Sequence, residues 1–72
     1  MTRFSIRCVD AVAAEKLAED LRANNWEQAT VDGPAVSFPA SNPAGVMAVA
    51  EHALESGYAT DDEAAKLVGS LG

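Results

Sequence analysis

The stretch Trp26-Glu27-Gln28-Ala29-Thr30-Val31-Asp32-Gly33-Pro34-Ala35-Val36-Ser37-Phe38 decides the fold. Trp26 to Val31 reads as a strand. Asp32-Gly33 follows, a pair that favours a tight type I′ hairpin turn. Pro34 sits beside that turn, where a missing N–H is tolerated. Ala35 to Phe38 is the returning strand, with Val36 and Phe38 on one face. Pro39-Ala40-Ser41 then reads as a connection.

Towards the N-terminus, Arg3 to Val9 is a further strand. Phe4, Ile6 and Cys8 alternate with Arg3, Ser5 and Arg7, so one face is apolar and the other polar. Asp10 fits a helix N-cap, because its carboxylate can accept from unpaired backbone N–H groups. The helix runs from Ala11 to Asn24, with Ala14, Leu17, Ala18 and Leu21 as its buried stripe. Lys16 with Asp20, and Glu19 with Arg22, are expected local ion pairs on its wet side. Asn24-Asn25 can take the left-handed conformation that ends a helix.

Towards the C-terminus, Asn42-Pro43 starts a second helix, because Asn caps and Pro fits the first helical position. It runs to Ser56, with Val46, Val49, Ala50, Ala53 and Leu54 as its apolar face and Met47 at the edge. Gly57 is the left-handed stop, and Tyr58 is placed to pack back over the last turn. Thr60-Asp61-Asp62-Glu63 has the form of a capping box, with Thr60 capping and Glu63 reaching back to the Thr60 N–H. A third helix follows, Asp61 to Ser70, with Ala64, Leu67, Val68 and Leu71 as its stripe.

The element order is therefore β-α-β-β-α-α in a single small α+β domain covering residues 1–72. The strand–helix–strand crossover and the hairpin place the third strand between the other two. That gives a three-stranded antiparallel or mixed sheet of order 1-3-2, with the helices on one face. The topology resembles a ferredoxin-like fold whose fourth strand is replaced by a helix. Such a resemblance implies architecture only, since that fold hosts many unrelated functions.

Composition bounds what this domain can do. The chain has 72 residues, and 49% are hydrophobic, but 15 of those 35 are alanine. The core is thin, which leaves little room for a ligand pocket of ~300 Å³ or more within one copy. The net charge is −6, from 11 acids and 5 bases. That field repels phosphates and argues against direct nucleic-acid binding and against docking on an anionic membrane. It favours a basic protein partner. The single cysteine, Cys8, excludes an internal disulfide and a four-cysteine zinc site. The first residues alternate rather than forming an apolar block, so a cytoplasmic location is the expectation.

Each chemically interesting residue also has an ordinary structural role. His52 is the lone histidine and lacks the partners of a metal site; it reads as a surface residue in a local pair with Glu55. Cys8 belongs to the apolar face of its strand and reads as a buried thiol. Asp61, Asp62 and Glu63 suit the positive end of a helix dipole. The five glycines form no phosphate-cradling spacing. No catalytic residue, cofactor or metal is therefore expected.

Two surfaces are candidates for a partner. One is the outer face of the sheet, with Arg3, Arg7 and Trp26, since Arg and Trp are enriched at binding hot spots. The other is the acidic helical side, with Glu15, Glu19 and Asp20, joined by Glu51 and Glu55. The chain is thus expected to be a non-catalytic protein-interaction module. Its sharper form is an inhibitor of a basic, nucleic-acid-handling protein. Small acidic anti-CRISPR and immunity proteins of phages and mobile elements work in that way as a class, a comparison that rests on size and charge. The alternative is a small ligand-binding or regulatory domain acting as a homodimer, because the first and second strands leave open edges.

Overall fold

A computed structural model describes residues 2–26 and 28–71. Its elements are β1 (Thr2–Arg7), α1 (Ala11–Ala23), β2 (Thr30–Asp32), β3 (Ala35–Ala40), α2 (Pro43–Glu55) and α3 (Asp61–Gly69). The strands form one sheet of order β1-β3-β2, antiparallel throughout. Phe4 lies opposite Phe38, and Ile6 opposite Val36. The α+β architecture and strand order are those expected from the hairpin and the crossover.

Alternation along the strands sorts the two sheet faces. Ile6, Val36, Phe38 and Ala40 are buried, while Arg3, Ser5 and Arg7 are exposed. The buried face meets Leu17 and Leu21 of α1, Val46 and Val49 of α2, and Leu67 of α3 in a single core. Phe38 is its largest fully buried side chain. Leu54 and Val68, expected within the helical stripes, sit at the rim and remain more than a third exposed.

The hairpin differs from expectation in its turn. Asp32 pairs with Ala35, so the two loop residues are Gly33 and Pro34. Type I′ needs positive φ at both central positions, and the proline ring forbids it at the second. Gly33 instead takes φ of 60° alone, the pattern of a turn with glycine first.

The second strand is also shorter, starting at Thr30 rather than Trp26. The register explains why. Thr30 pairs with Ser37, so an extended β2 would set Gln28 opposite Pro39. Residues flanking a two-residue hairpin loop exchange hydrogen bonds, and alternate pairs after them do the same. Pro39 has no N–H to give at that position. It sits inside β3, not in a connection, with its nitrogen facing the side where β2 has already ended.

The helix ends obey local chemistry. Asp10 Oδ1 accepts from Ala13 N at 2.7 Å, and Asn42 Oδ1 from Gly45 N at 3.0 Å. Asn25 and Gly57 take positive φ just past α1 and α2. The amides of Tyr58 and Ala59 turn back to the Ala53 carbonyl at 2.9 and 3.2 Å. The capping box forms in its first half: Thr60 Oγ1 accepts from Glu63 N, but the Glu63 carboxylate is engaged by Lys66 at 3.2 Å.

The local ion pairs expected along α1 are replaced by longer-range contacts. Arg22 donates through Nε and Nη2 to the Ala29 carbonyl, at 3.2 and 2.9 Å, and fastens the loop that enters β2. Asp20 turns to α2. Among the described residues, Lys66–Glu63 is the Lys/Arg–carboxylate ion pair, and His52 meets Asp20 in a hydrogen-bond contact.

Candidate functional site

Arg3 and Arg7 both lie on the outer sheet face, as expected, but they are in different states. The Arg3 side chain crosses the sheet. Its Nε donates to Ser37 Oγ at 3.2 Å, and its Nη2 to the Gln28 carbonyl at 3.1 Å. Thr30 Oγ1 and the Ser37 carbonyl lie at 3.3 and 3.4 Å. The Gln28 carbonyl is the group that Pro39 cannot serve. Arg3 therefore acts as a clamp that closes the open end of β2. Arg7 is exposed and makes no side-chain hydrogen bond or ion pair among the described residues.

Trp26 is not on this face. It lies in the loop after α1, where its backbone N–H donates to the Leu21 carbonyl at 2.9 Å. Its ring packs on Phe38 on the core side, with centroids 5.4 Å apart. Gly45 of α2 comes so close that a Cβ there would stand 3.2 Å from the indole. Trp26 closes one end of the core and lines a cleft of about 370 Å³ with Asn25, Ser41 and Asn42. The expectation that it shares a hot spot with Arg3 and Arg7 is corrected. A large apolar ring gains more from the thin core than from solvent.

The helical side holds a polar cluster that the sequence did not reveal. His52 Nε2 lies 2.9 Å from Asp20 Oδ2, and Tyr58 Oη donates to the same oxygen at 3.3 Å. A carboxylate only accepts, so the imidazole carries its proton on Nε2 in this contact. The His52 and Tyr58 rings meet edge to face at 6.0 Å. His52 thus pairs with α1 and not with Glu55. The Tyr58 phenol is pushed above its ordinary value by desolvation first, then by the Asp20 carboxylate it donates to and by Glu19 nearby. The cluster joins α1 to the turn after α2, and it ties Asp20, one of the expected acidic contact residues, while leaving its side chain 41% exposed. Its members lie 32 and 38 positions apart, which no local pattern encodes.

Cys8 is buried and unpaired, with its thiol pushed up by burial and secondarily by Asp10. That is the opposite of the low thiol pKa a nucleophile needs. Among the described residues, no group of three or more His, Cys, Asp or Glu is placed to hold a metal ion. No described helix is long and apolar enough to cross a membrane.

Charge is segregated across the molecule. Arg3, Arg7 and Lys66 are three of the chain's five bases, and all three line one open groove of about 700 Å³ beside β1. Asp32 and Glu63 are the acids that share it. The helical side carries Glu15, Glu19, Glu51 and Glu55, all exposed and without an ion pair among the described residues. The chain matches no protein-family model, no curated protein and no solved structure.

Proposed function

We propose that this chain is a non-catalytic protein-interaction module whose acidic helical side docks on a basic protein. The specific form we favour is inhibition of a nucleic-acid-handling protein, with carboxylates occupying a groove that otherwise receives phosphates. The observation that carries the reading is the segregation of charge. With Arg3, Arg7 and Lys66 gathered beside β1, only Lys16 and Arg22 offset the remaining acids. Arg22 is itself bound to the Ala29 carbonyl. The exposed contact residues are Glu15 and Glu19, supported by Glu51 and Glu55.

The test is affinity capture from native lysate at low and moderate salt, read by mass spectrometry. Wild type is compared with a Glu15→Lys/Glu19→Lys variant of the same fold. A single stoichiometric basic partner, weakened by salt and lost on charge reversal, is the expected result. Capture indifferent to both ionic strength and charge reversal would sink the acidic-surface reading.

A further inference from the structure

We infer that the outer edge of β1 is a strand-accepting groove that takes an extended, acidic segment of another protein. This surface is separate from the acidic helical side, and the inference does not depend on that reading.

The backbone geometry comes first. Among the described residues, β1 has β3 on one side and no strand on the other. Cys8 N donates to the Pro34 carbonyl at 2.7 Å, continuing the register that pairs Ile6 with Val36. Even-numbered residues of β1 therefore direct their N–H and C=O groups at β3, and Arg3, Ser5 and Arg7 direct theirs outward. Val9, the next odd residue, confirms the parity: its N–H leaves the sheet and meets the Tyr58 carbonyl at 2.8 Å. The backbone groups of Arg3, Ser5 and Arg7 have no such partner among the described residues. A row of outward donors and acceptors at alternate residues is what an added strand uses.

The side chains then select the occupant. The groove beside this edge is walled by α3 through Glu63, Lys66 and Ser70, with Phe4 and Leu67 also lining it. An added strand alternates its side chains between two faces. One set lies beside Arg7, whose guanidinium has no hydrogen bond or ion pair among the described residues, and suits carboxylates. The other lies over Phe4 and Leu67 and suits apolar groups. The same charges disfavour a second copy of β1 as occupant. The antiparallel register that uses all three outward residues sets Arg3 of each copy opposite Arg7 of the other, and like charges directly opposite are destabilising.

The probe is a short, end-blocked peptide of alternating glutamate and valine, titrated into the full chain and followed by the backbone amide signals. We expect shifts and slowed hydrogen exchange at the Arg3, Ser5 and Arg7 amides. Exchanging glutamate for lysine in the peptide, or N-methylating its alternate amides, abolishes binding. Arg7→Glu weakens binding by about tenfold or more, as for a charge pair at a recognition edge. Ser5→Pro removes one outward N–H without touching the β3 ladder and also weakens it; Arg7→Glu carries the test if the proline variant does not fold. Glu15→Lys/Glu19→Lys, on the helical side, leaves peptide binding in place. The inference is overturned if the peptide shifts only α1 and α2 signals, if the lysine peptide binds equally well, or if the chain is a dimer whose β1 amides are already protected without peptide.

Discussion

Replacing Arg3 tests whether this residue is a clamp or a docking residue. Its guanidinium makes contacts of 3.1 to 3.4 Å with Gln28, Thr30 and Ser37, spanning the whole sheet from β1 to β2. These lengths lie at the long end of the hydrogen-bond range, and the group is exposed. Each bond is therefore worth no more than the lower end of the usual net value, about 0.5 kcal/mol. Three or four together give about 1–2 kcal/mol for Arg3→Ala. In a domain of this size that lowers Tm by roughly 7–13 °C. Arg3→Lys should recover less than half of the loss, because a single ammonium cannot serve Ser37 and Gln28 in two directions at once. Thermal and urea melts followed by circular dichroism read both variants. Hydrogen exchange should quicken first at Thr30 to Asp32, the short strand the clamp secures. If Arg3→Ala and Arg3→Lys both melt within a degree of wild type, the guanidinium does not hold β2 and is available to a partner.

Phe38→Ala, at the fully buried centre of the core, should cost about 3–5 kcal/mol, measured by the urea midpoint. A chain of this length holds about 4–11 kcal/mol in total, so the substitution should remove roughly a quarter or more of its stability and lower the urea midpoint accordingly. Gly57→Ala places a Cβ in open space but at φ of 74°, so its cost of about 1 kcal/mol is purely conformational, and Gly57→Asn should lose less. The raised Tyr58 pKa makes its stabilisation complete below the ordinary phenol value near 10 and lost as pH rises through the higher folded value. Melts from pH 8 to 11 should show an alkaline decline that Tyr58→Phe reduces; an identical decline in both proteins would refute the assignment to Tyr58.

The surfaces divide by how far apart their parts lie in sequence. The alternation of Arg3, Ser5 and Arg7 with Phe4 and Ile6 marks an outer face without any structure, because side chains on a strand alternate by geometry. The exposed glutamates of α1 follow equally from helical period. Glu15 and Glu19 stand where that period puts them. Asp20 also holds His52 and Tyr58 with its half-exposed carboxylate, a role the period does not encode. Among the described residues Arg7 remains unpaired on the outer face, while Arg3, four residues earlier on the same face, is committed to the sheet.

Local chemistry fixed the caps at Asp10, Asn42 and Thr60, the positive φ at Asn25 and Gly57, and the number and order of strands and helices. Each of these depends on backbone groups within a few residues, so a short window of sequence contains the whole cause. Tertiary structure decided the length of β2, the burial of Trp26 against Phe38 and Gly45, the Asp20–His52–Tyr58 cluster and the groove between β1 and α3. Those depend on which distant segments pack together. Gln28 meets Pro39 only through the β2–β3 register, and Asp20 meets His52 only because α1 and α2 cover the same sheet face.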